Sequence, residues 1–125
     1  MRHISKFTSL AKPVFWLACI TVTILSLTPI ERLPEQWFDL WDKAQHAAAF
    51  FILSCLGFIA YYSRPKQLMV IGLVLLGIAI EIAQNWLGWR YGDIADVIAD
   101  LAGIAFAFTF FVVLERLLWG KRENF

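Results

Sequence analysis

The chain has 125 residues, of which 60% are hydrophobic and 17% are charged, and its formal net charge is +1 at pH 7. An average soluble domain is about 45 to 50% apolar and about 25% charged, so this composition excludes an ordinary soluble fold. Because the net charge is small and no Lys/Arg cluster is dense, nothing points to nucleic acid and no such partner is expected.

Four apolar runs approach the length of about 20 residues that a helix needs to cross a bilayer. We predict helices over residues of about 13–28, 44–62, 67–87 and 94–118, within a single domain covering 1–125. Pro29, Pro65 and Gly88 follow the first three runs and are the predicted helix stops. The predicted fold class is all-α: a four-helix transmembrane bundle with the lipid bilayer as its surroundings.

The first run has a rival interpretation. A cationic stretch ahead of a short apolar run is also typical of a secretory signal, and Arg2, Lys6 and Lys12 precede this one. No A-x-A-like cleavage site follows it. We therefore favour an uncleaved first span that packs as scaffold.

Charge is distributed unevenly between the two predicted sides of the membrane. Eight of the eleven Lys and Arg residues fall on the side that holds both termini and the connection between the second and third spans. The positive-inside rule places that side in the cytoplasm. Most acidic residues fall on the other side, so the sequence predicts both termini inside and an acidic layer outside.

Polar and small residues form one face near the outer end of three predicted spans. Asp42 and His46 are four residues apart on the second span, with Lys43 beside them. The other two faces repeat at intervals of three and four residues, which place their members on one side of a helix. They comprise Gly77, Glu81, Gln84 and Gly88 on the third span and Asp93, Asp96, Asp100 and Gly103 on the fourth.

The depth of the acidic residues constrains their surroundings. At a rise of about 1.5 Å per residue, Glu81 and Asp100 each lie about 9 Å inside the outer boundary. Ionisable groups at such depth face a protein interior or a wet cavity and are paired there. We expect Lys43 and Arg90, the nearest cations, to be their partners. The alternative is an internal hydrogen-bond network that joins helices.

The candidate site residues divide into two groups. The candidate catalytic residues are His46, Glu81 and Asp96. The candidate substrate-binding residues are Asp42, Lys43, Gln84, Arg90, Asp93 and Asp100. The connector from Thr28 to Trp41 is predicted to be a short amphipathic lid that lies at the membrane interface.

No metal and no cofactor are predicted. Carboxylates and an imidazole from three spans would suit Mg, Mn or Ca, but no H-x-x-x-H or C-x-x-C spacing is present. The ligand set considered is His46, Glu81, Asp93 and Asp96. Cys19 and Cys55 are expected to be free thiols that behave as small apolar groups.

The polar motifs together resemble those of VanZ-like membrane proteins, a family named for a factor associated with teicoplanin resistance in bacteria. The resemblance covers about residues 13–118. It rests on Asp42-Lys43-x-x-His46, Glu81-x-x-Gln84, Arg90-x-x-Asp93-x-x-Asp96 and Asp100-x-x-Gly103. Asp100 stands where asparagine is expected more often, and Ala107 stands where a second glycine is common.

The resemblance implies a multi-pass protein of the bacterial plasma (inner) membrane that acts in the cell envelope, without a settled reaction. Three hypotheses follow for the polar site. The first is an outward-facing acid/base site that acts on or binds an amphipathic or lipid-linked envelope molecule or a glycopeptide. The others are a small proton-coupled transporter that uses Glu81 and a non-catalytic binding module. Whether the protein is an enzyme, and whether it forms homo-oligomers, stay open.

Overall fold

The structure, a computed structural model, describes residues 2–29, 40–88 and 91–119. These residues form four α-helices: α1 (Arg2–Leu27), α2 (Leu40–Ala60), α3 (Lys66–Leu87) and α4 (Ile94–Trp119). All four are long and apolar enough to cross a membrane. The prediction of an all-α protein with four membrane-length helices is therefore confirmed, and the protein is a multi-pass membrane protein.

Contacts between helix ends define what we name the polar end of the bundle, where α1 and α3 finish and α2 and α4 begin. Gln84 near the end of α3 donates a hydrogen bond to the carbonyl of Ser26 near the end of α1. Lys43 at the start of α2 donates to Asp96 at the start of α4. Glu81 near the end of α3 accepts a hydrogen bond from the N–H of Asp93, which directly precedes α4, so consecutive helices run in opposite directions.

The other end, which we name the basic end, is where α1 and α3 begin and α2 and α4 finish. Lys66 in the first turn of α3 forms an ion pair with Glu115 of α4. The Lys12 ammonium lies 5.5 Å from the centroid of the Tyr61 ring, which follows α2. The indole of Trp16 donates a 2.9 Å hydrogen bond to the Tyr61 hydroxyl.

Helix α2 is the centre of the packing, and its most extensive contact is with α4. Gly103 of α4 allows this contact because a Cβ at that position would overlap the backbone carbonyl of Ala47. Small residues permit such close approach of membrane helices, which gain association energy from van der Waals packing. The polar and small face predicted for the fourth span, which includes Gly103, is therefore the face of α4 that packs against α2.

The hydrophobic core lies between the four helices and includes Phe15, Phe50, Leu53, Leu73 and Ile104. Large apolar side chains on every helix are instead more than half exposed, namely Leu17, Ile52, Leu75 and Phe106 among others. A soluble domain rarely presents so much apolar surface. The outer surface is therefore suited to contact with lipid.

The predicted start of the first helix near Pro13 is wrong. Helix α1 begins at Arg2 and continues through Pro13. A proline costs one backbone hydrogen bond and disfavours helix in the residue before it. Ala11, however, packs against the core. This is a tertiary contact, which a rule based on neighbouring residues does not include. The other helices begin and end within about four residues of their predicted bounds.

Gly88 ends α3 as predicted. Its φ of 77° is left-handed, and its N–H donates a 3.2 Å hydrogen bond to the carbonyl of Gln84. Cys19 and Cys55 are free thiols, buried and half-buried respectively, as expected. The predicted lid over residues 28–41 lies mainly outside the described residues.

Candidate functional site

Five of the candidate site residues are buried together at the polar end. Their side chains come from α2, α3 and α4, and each of the five residues is less than a tenth exposed. They are His46, Glu81, Gln84, Asp96 and Asp100. The structure thus brings the three predicted polar faces together, and we name this set the buried cluster.

The His46–Asp100 pair links α2 to α4 inside the cluster. His46 Nδ1 and Asp100 Oδ1 lie 3.0 Å apart, and their side chains are 7% and 3% exposed. A carboxylate in this position accepts a hydrogen bond from the Nδ1–H and thereby fixes the ring and its tautomer. Asp100 therefore supplies an acceptor that an asparagine amide would match only in one of its two orientations.

The second carboxylate oxygen of Asp100 occupies space that is open because Gly77 of α3 has no side chain. A Cβ on Gly77 of α3 would lie 2.8 Å from Asp100 Oδ2. That oxygen is buried and has no hydrogen-bond partner among the described residues. Gly77, singled out from its spacing, therefore makes room for a carboxylate of α4.

Glu81 of α3 is held by the segment that precedes α4. Its Oε2 accepts a 2.7 Å hydrogen bond from the backbone N–H of Asp93. A Cβ on Gly92 would overlap the Glu81 carbonyl, so the glycine lets this segment lie directly on α3. Within the part of the chain that the structure describes, Glu81 Oε1 is buried without a partner.

Lys43 covers the cluster from the surface. Its ammonium lies 3.0 Å from both Asp93 Oδ2 and Asp96 Oδ1. The Lys43 side chain is 39% exposed, whereas that of Asp96 is 7% exposed. Lys43 is thus the counter-ion of Asp93 and Asp96.

The expectation that Lys43 pairs with Glu81 or Asp100 is therefore wrong. Lys43 stands at the first turn of α2, close to the start of α4. Glu81 and Asp100 instead take a backbone N–H and the His46 ring as their partners. Arg90, the other expected partner and a candidate binding residue, lies outside the described residues.

Asp93 has a role that spacing alone did not indicate. Its Oδ1 accepts a 2.9 Å hydrogen bond from the N–H of Ala95, so it caps the start of α4. This bond and the nearby Lys43 ammonium lower the pKa of Asp93. An acidic residue directly before an apolar helical run is the signal that predicts this cap.

Gln84 connects the cluster to α1 through the carbonyl of Ser26, at 2.8 Å. Its Oε1 is buried without a partner among the described residues. The contribution of Ser26 was not predicted, because a backbone carbonyl leaves no mark in the sequence. The first helix is thus attached to the site without supplying an ionisable side chain from the described residues.

Two sets of side chains are placed so that they could hold a metal ion. Nitrogen and oxygen atoms of His46, Glu81 and Asp100 lie within 4.8 Å of one another, as do those of Asp42, His46 and Asp96. His46 and Asp100 of the first set already share a 3.0 Å hydrogen bond through Nδ1. The absence of a metal therefore stays a prediction. Neither of the two sets is the one considered from the sequence, which was His46, Glu81, Asp93 and Asp96.

The buried cluster contains two kinds of group that can exchange protons, an imidazole and carboxyl groups. His46 has a second ring nitrogen beyond the one bonded to Asp100, and neutral imidazole exchanges protons near physiological pH. Glu81 offers a carboxylate from another helix within 4.8 Å. The arrangement can bind a proton, move it between helices, or hold a cation.

Four membrane-length helices around a buried imidazole and carboxylates define a small multi-pass membrane protein with an ionisable interior. The sequence profile of the VanZ/LLP1 family matches residues 5–115. The chain belongs to this family, as its motifs predicted. Comparisons with curated proteins and with solved structures give no significant match.

Proposed function

We propose that the buried cluster is an acid/base site that opens to the outer face of the bacterial plasma membrane. Its substrate or ligand would be an amphipathic or lipid-linked envelope molecule, or a glycopeptide such as teicoplanin. The excess of Lys and Arg at the basic end supports an orientation with both termini in the cytoplasm. The polar end then faces outward.

The observation that carries the proposal is the buried cluster with its unpartnered oxygens. A network serving only to join helices would satisfy its members, since a buried polar group without a partner costs about 1–3 kcal/mol. Glu81 Oε1 and Asp100 Oδ2 lack partners among the described residues. Ionisable residues within membrane segments commonly mark a functional path or site.

The geometry supports separate roles for three residues. Asp100 positions the His46 ring through Nδ1, and His46 acts as the proton acceptor through its other ring nitrogen. Glu81, held by the Asp93 N–H through one oxygen, carries the second proton. Such a general acid or base contributes about 10²- to 10⁴-fold to a rate.

Lys43 is the proposed anchor for an anionic group. It is partly exposed and bridges Asp93 and Asp96. A phosphate or carboxylate on the ligand would exchange with the exposed Asp93 carboxylate, because surface ion pairs are weak. Asp96 would remain paired, and Asp42, which lies near His46, would line the same entrance together with Arg90.

The test is the effect of cluster substitutions in living cells. The chain is expressed in a susceptible bacterial host, and the minimum inhibitory concentrations of envelope-active compounds are measured, beginning with teicoplanin. The wild-type chain should change susceptibility, and His46→Gln, Glu81→Gln and Asp100→Asn should each abolish that change at equal protein level. Glu115→Gln, the same kind of substitution at the basic end, should retain it.

Two results would overturn the proposal. One is an unchanged effect in all three cluster variants, and the other is no effect of the wild-type chain on any compound. Proton-coupled flux in proteoliposomes that disappears in Glu81→Gln would favour the transporter hypothesis instead. The position of the cluster at one end of the bundle, rather than at its middle, favours a one-sided site.

A further inference from the structure

A cavity lies at the basic end, between α1, α2 and α3. Its volume is about 690 Å³, and its walls are mainly apolar. Phe15, Phe58 and Leu73 form part of these walls, and Gly72 leaves space at the side of α3. The cavity is a groove rather than a closed pocket, because the lining residue Leu68 is 60% exposed. We name it the basic-end groove.

The rim of the groove is cationic. Arg64 and Lys66 line it, and Lys12 lies over the ring of Tyr61, another lining residue. Among the described residues, Glu115 is the one acidic side chain at this end, and it pairs with Lys66. Two cations thus remain without a neighbouring carboxylate among the described residues.

The groove also presents hydrogen-bond donors beside these charges. Tyr61 accepts a hydrogen bond from the Trp16 indole, which leaves its own hydroxyl hydrogen for donation. Aromatic residues with a polar tip are typical of the level where acyl chains meet headgroups. Cationic and donor groups therefore stand at one end of an apolar channel.

We propose that the basic-end groove binds an anionic glycerophospholipid of the surrounding leaflet. An acyl chain lies along the apolar walls past Gly72, and the phosphate contacts Arg64, Lys12 and the Tyr61 hydroxyl. Basic pockets between membrane helices bind anionic headgroups in this way. The proposal does not depend on the function of the polar end.

The charge of the rim selects among membrane lipids. A zwitterionic headgroup carries its own cation, which the rim cations repel, whereas phosphatidylglycerol presents an uncompensated phosphate. A soluble ligand is disfavoured because the walls have little polar surface. The ligand that fits both the cationic rim and the apolar walls is therefore an acyl chain joined to a headgroup of net negative charge.

Gly72 provides a way to close the groove without damaging the fold. A Cβ at Gly72 would meet no atom within 4 Å, so Gly72→Leu has room and removes a helix-weakening glycine. The added side chain would occupy the channel. Ala79→Leu is the matched control, since Ala79 is exposed on α3 and does not line the groove.

Arg64→Gln removes one rim charge, and Arg116→Gln is its control. Arg116 is exposed in the last turn of α4 at the same end but does not line the groove. A basic residue near a membrane surface contributes about 1 kcal/mol to anionic lipid binding, which corresponds to an affinity change of about fivefold. Specific binding requires that only Arg64→Gln shows this change.

The experiment is native mass spectrometry of the full-length protein with phosphatidylglycerol or phosphatidylcholine. We expect preferential retention of phosphatidylglycerol, an affinity about fivefold lower in Arg64→Gln, and loss of the preference in Gly72→Leu. Arg116→Gln and Ala79→Leu should behave as the wild type. Thermal melting in detergent verifies that each variant is folded.

Three outcomes would overturn the lipid site. The first is equal retention of the two lipids by the wild type, and the second is an equal loss in Arg64→Gln and Arg116→Gln, which indicates general surface charge. The third is unchanged binding in a folded Gly72→Leu variant. None of these results bears on susceptibility to envelope-active compounds, so the two proposals fail separately.

Discussion

His46, Glu81 and Asp100 are the residues on which the chemistry of the polar end depends. Each comes from a different helix, and their ligand atoms lie within 4.8 Å of one another. Placing an ionisable group in a membrane segment is costly, and the cost is reduced only by pairing or hydration. His46 pairs with Asp100, and Glu81 accepts a hydrogen bond from the Asp93 N–H, while one oxygen of each carboxylate is left without a partner among the described residues.

Asp93 makes a prediction about pH at the scale of one residue. Its pKa is lowered because the Ala95 N–H and then Lys43 favour the carboxylate. A group whose folded-state pKa is lowered stabilises the fold above its unfolded value, and that stabilisation is lost as the pH falls below about 4. The melting temperature in detergent should therefore fall less between pH 6 and about pH 3 in Asp93→Asn than in the wild type.

Asparagine is a suitable replacement in this test because its amide oxygen can still accept the hydrogen bond that caps α4. The comparison thus removes the charge of Asp93 while a cap on α4 is kept. Identical pH profiles for the two proteins would show that neither the Ala95 N–H nor Lys43 stabilises the charged form of Asp93 in the fold.

The contact between α2 and α4 makes a prediction at the scale of elements. Gly103→Ala would place a Cβ against the Ala47 backbone, and such overpacking costs about 1–3 kcal/mol. Gly72→Ala, where the added Cβ meets open space, should be neutral or stabilise by up to about 1 kcal/mol. Thermal melting in detergent measures both, and equal effects would contradict the assigned interface.

Much of each helix was predictable, and so was the polar face that α2, α3 and α4 each bury at the polar end. Glu81 and Gln84 were placed on one face by their spacing, and both are buried. Spacing did not predict which side chains pair across helices. It fixes the direction in which a residue projects from its own helix axis, but not how far one helix is shifted along its axis relative to another. Lys43 was therefore assigned to deeper carboxylates than the ones that it contacts.

Two other outcomes show where local rules fail. Pro13 was taken as a helix start, yet α1 continues through it, and the packing of Ala11 against the core is a tertiary contact that local rules do not include. The attachment of Gln84 to Ser26 uses a backbone carbonyl, which any residue type would supply. Neither feature has a signature in composition or periodicity.

The bundle as a whole separates two kinds of chemistry. The polar end buries ionisable side chains from three helices, whereas the basic end has a cationic rim over an apolar groove. Such asymmetry matches the two faces of a bacterial membrane, since cations are retained inside. In the proposed orientation, the polar end would face outward and the basic-end groove would face the cytoplasmic leaflet.

The orientation of the bundle is testable with reporter fusions. Fusions after Trp119 and within the α2–α3 turn at Ser63 should be active with a cytoplasmic reporter such as green fluorescent protein. Alkaline phosphatase inserted after Gly88 should be active, because that connection would lie on the outer side of the membrane. The reverse pattern would refute an outward-facing polar end.

The convergence of three helices on His46 is tested most directly by nitrogen NMR of its ring. The chain has two histidines, so His3→Gln leaves a single labelled imidazole. We expect a hydrogen-bonded Nδ1 resonance that shifts in Asp100→Asn and in Glu81→Gln but not in Ala79→Leu. Resonances of a freely exposed ring, unchanged in all three variants, would contradict the buried cluster and the function proposed for it.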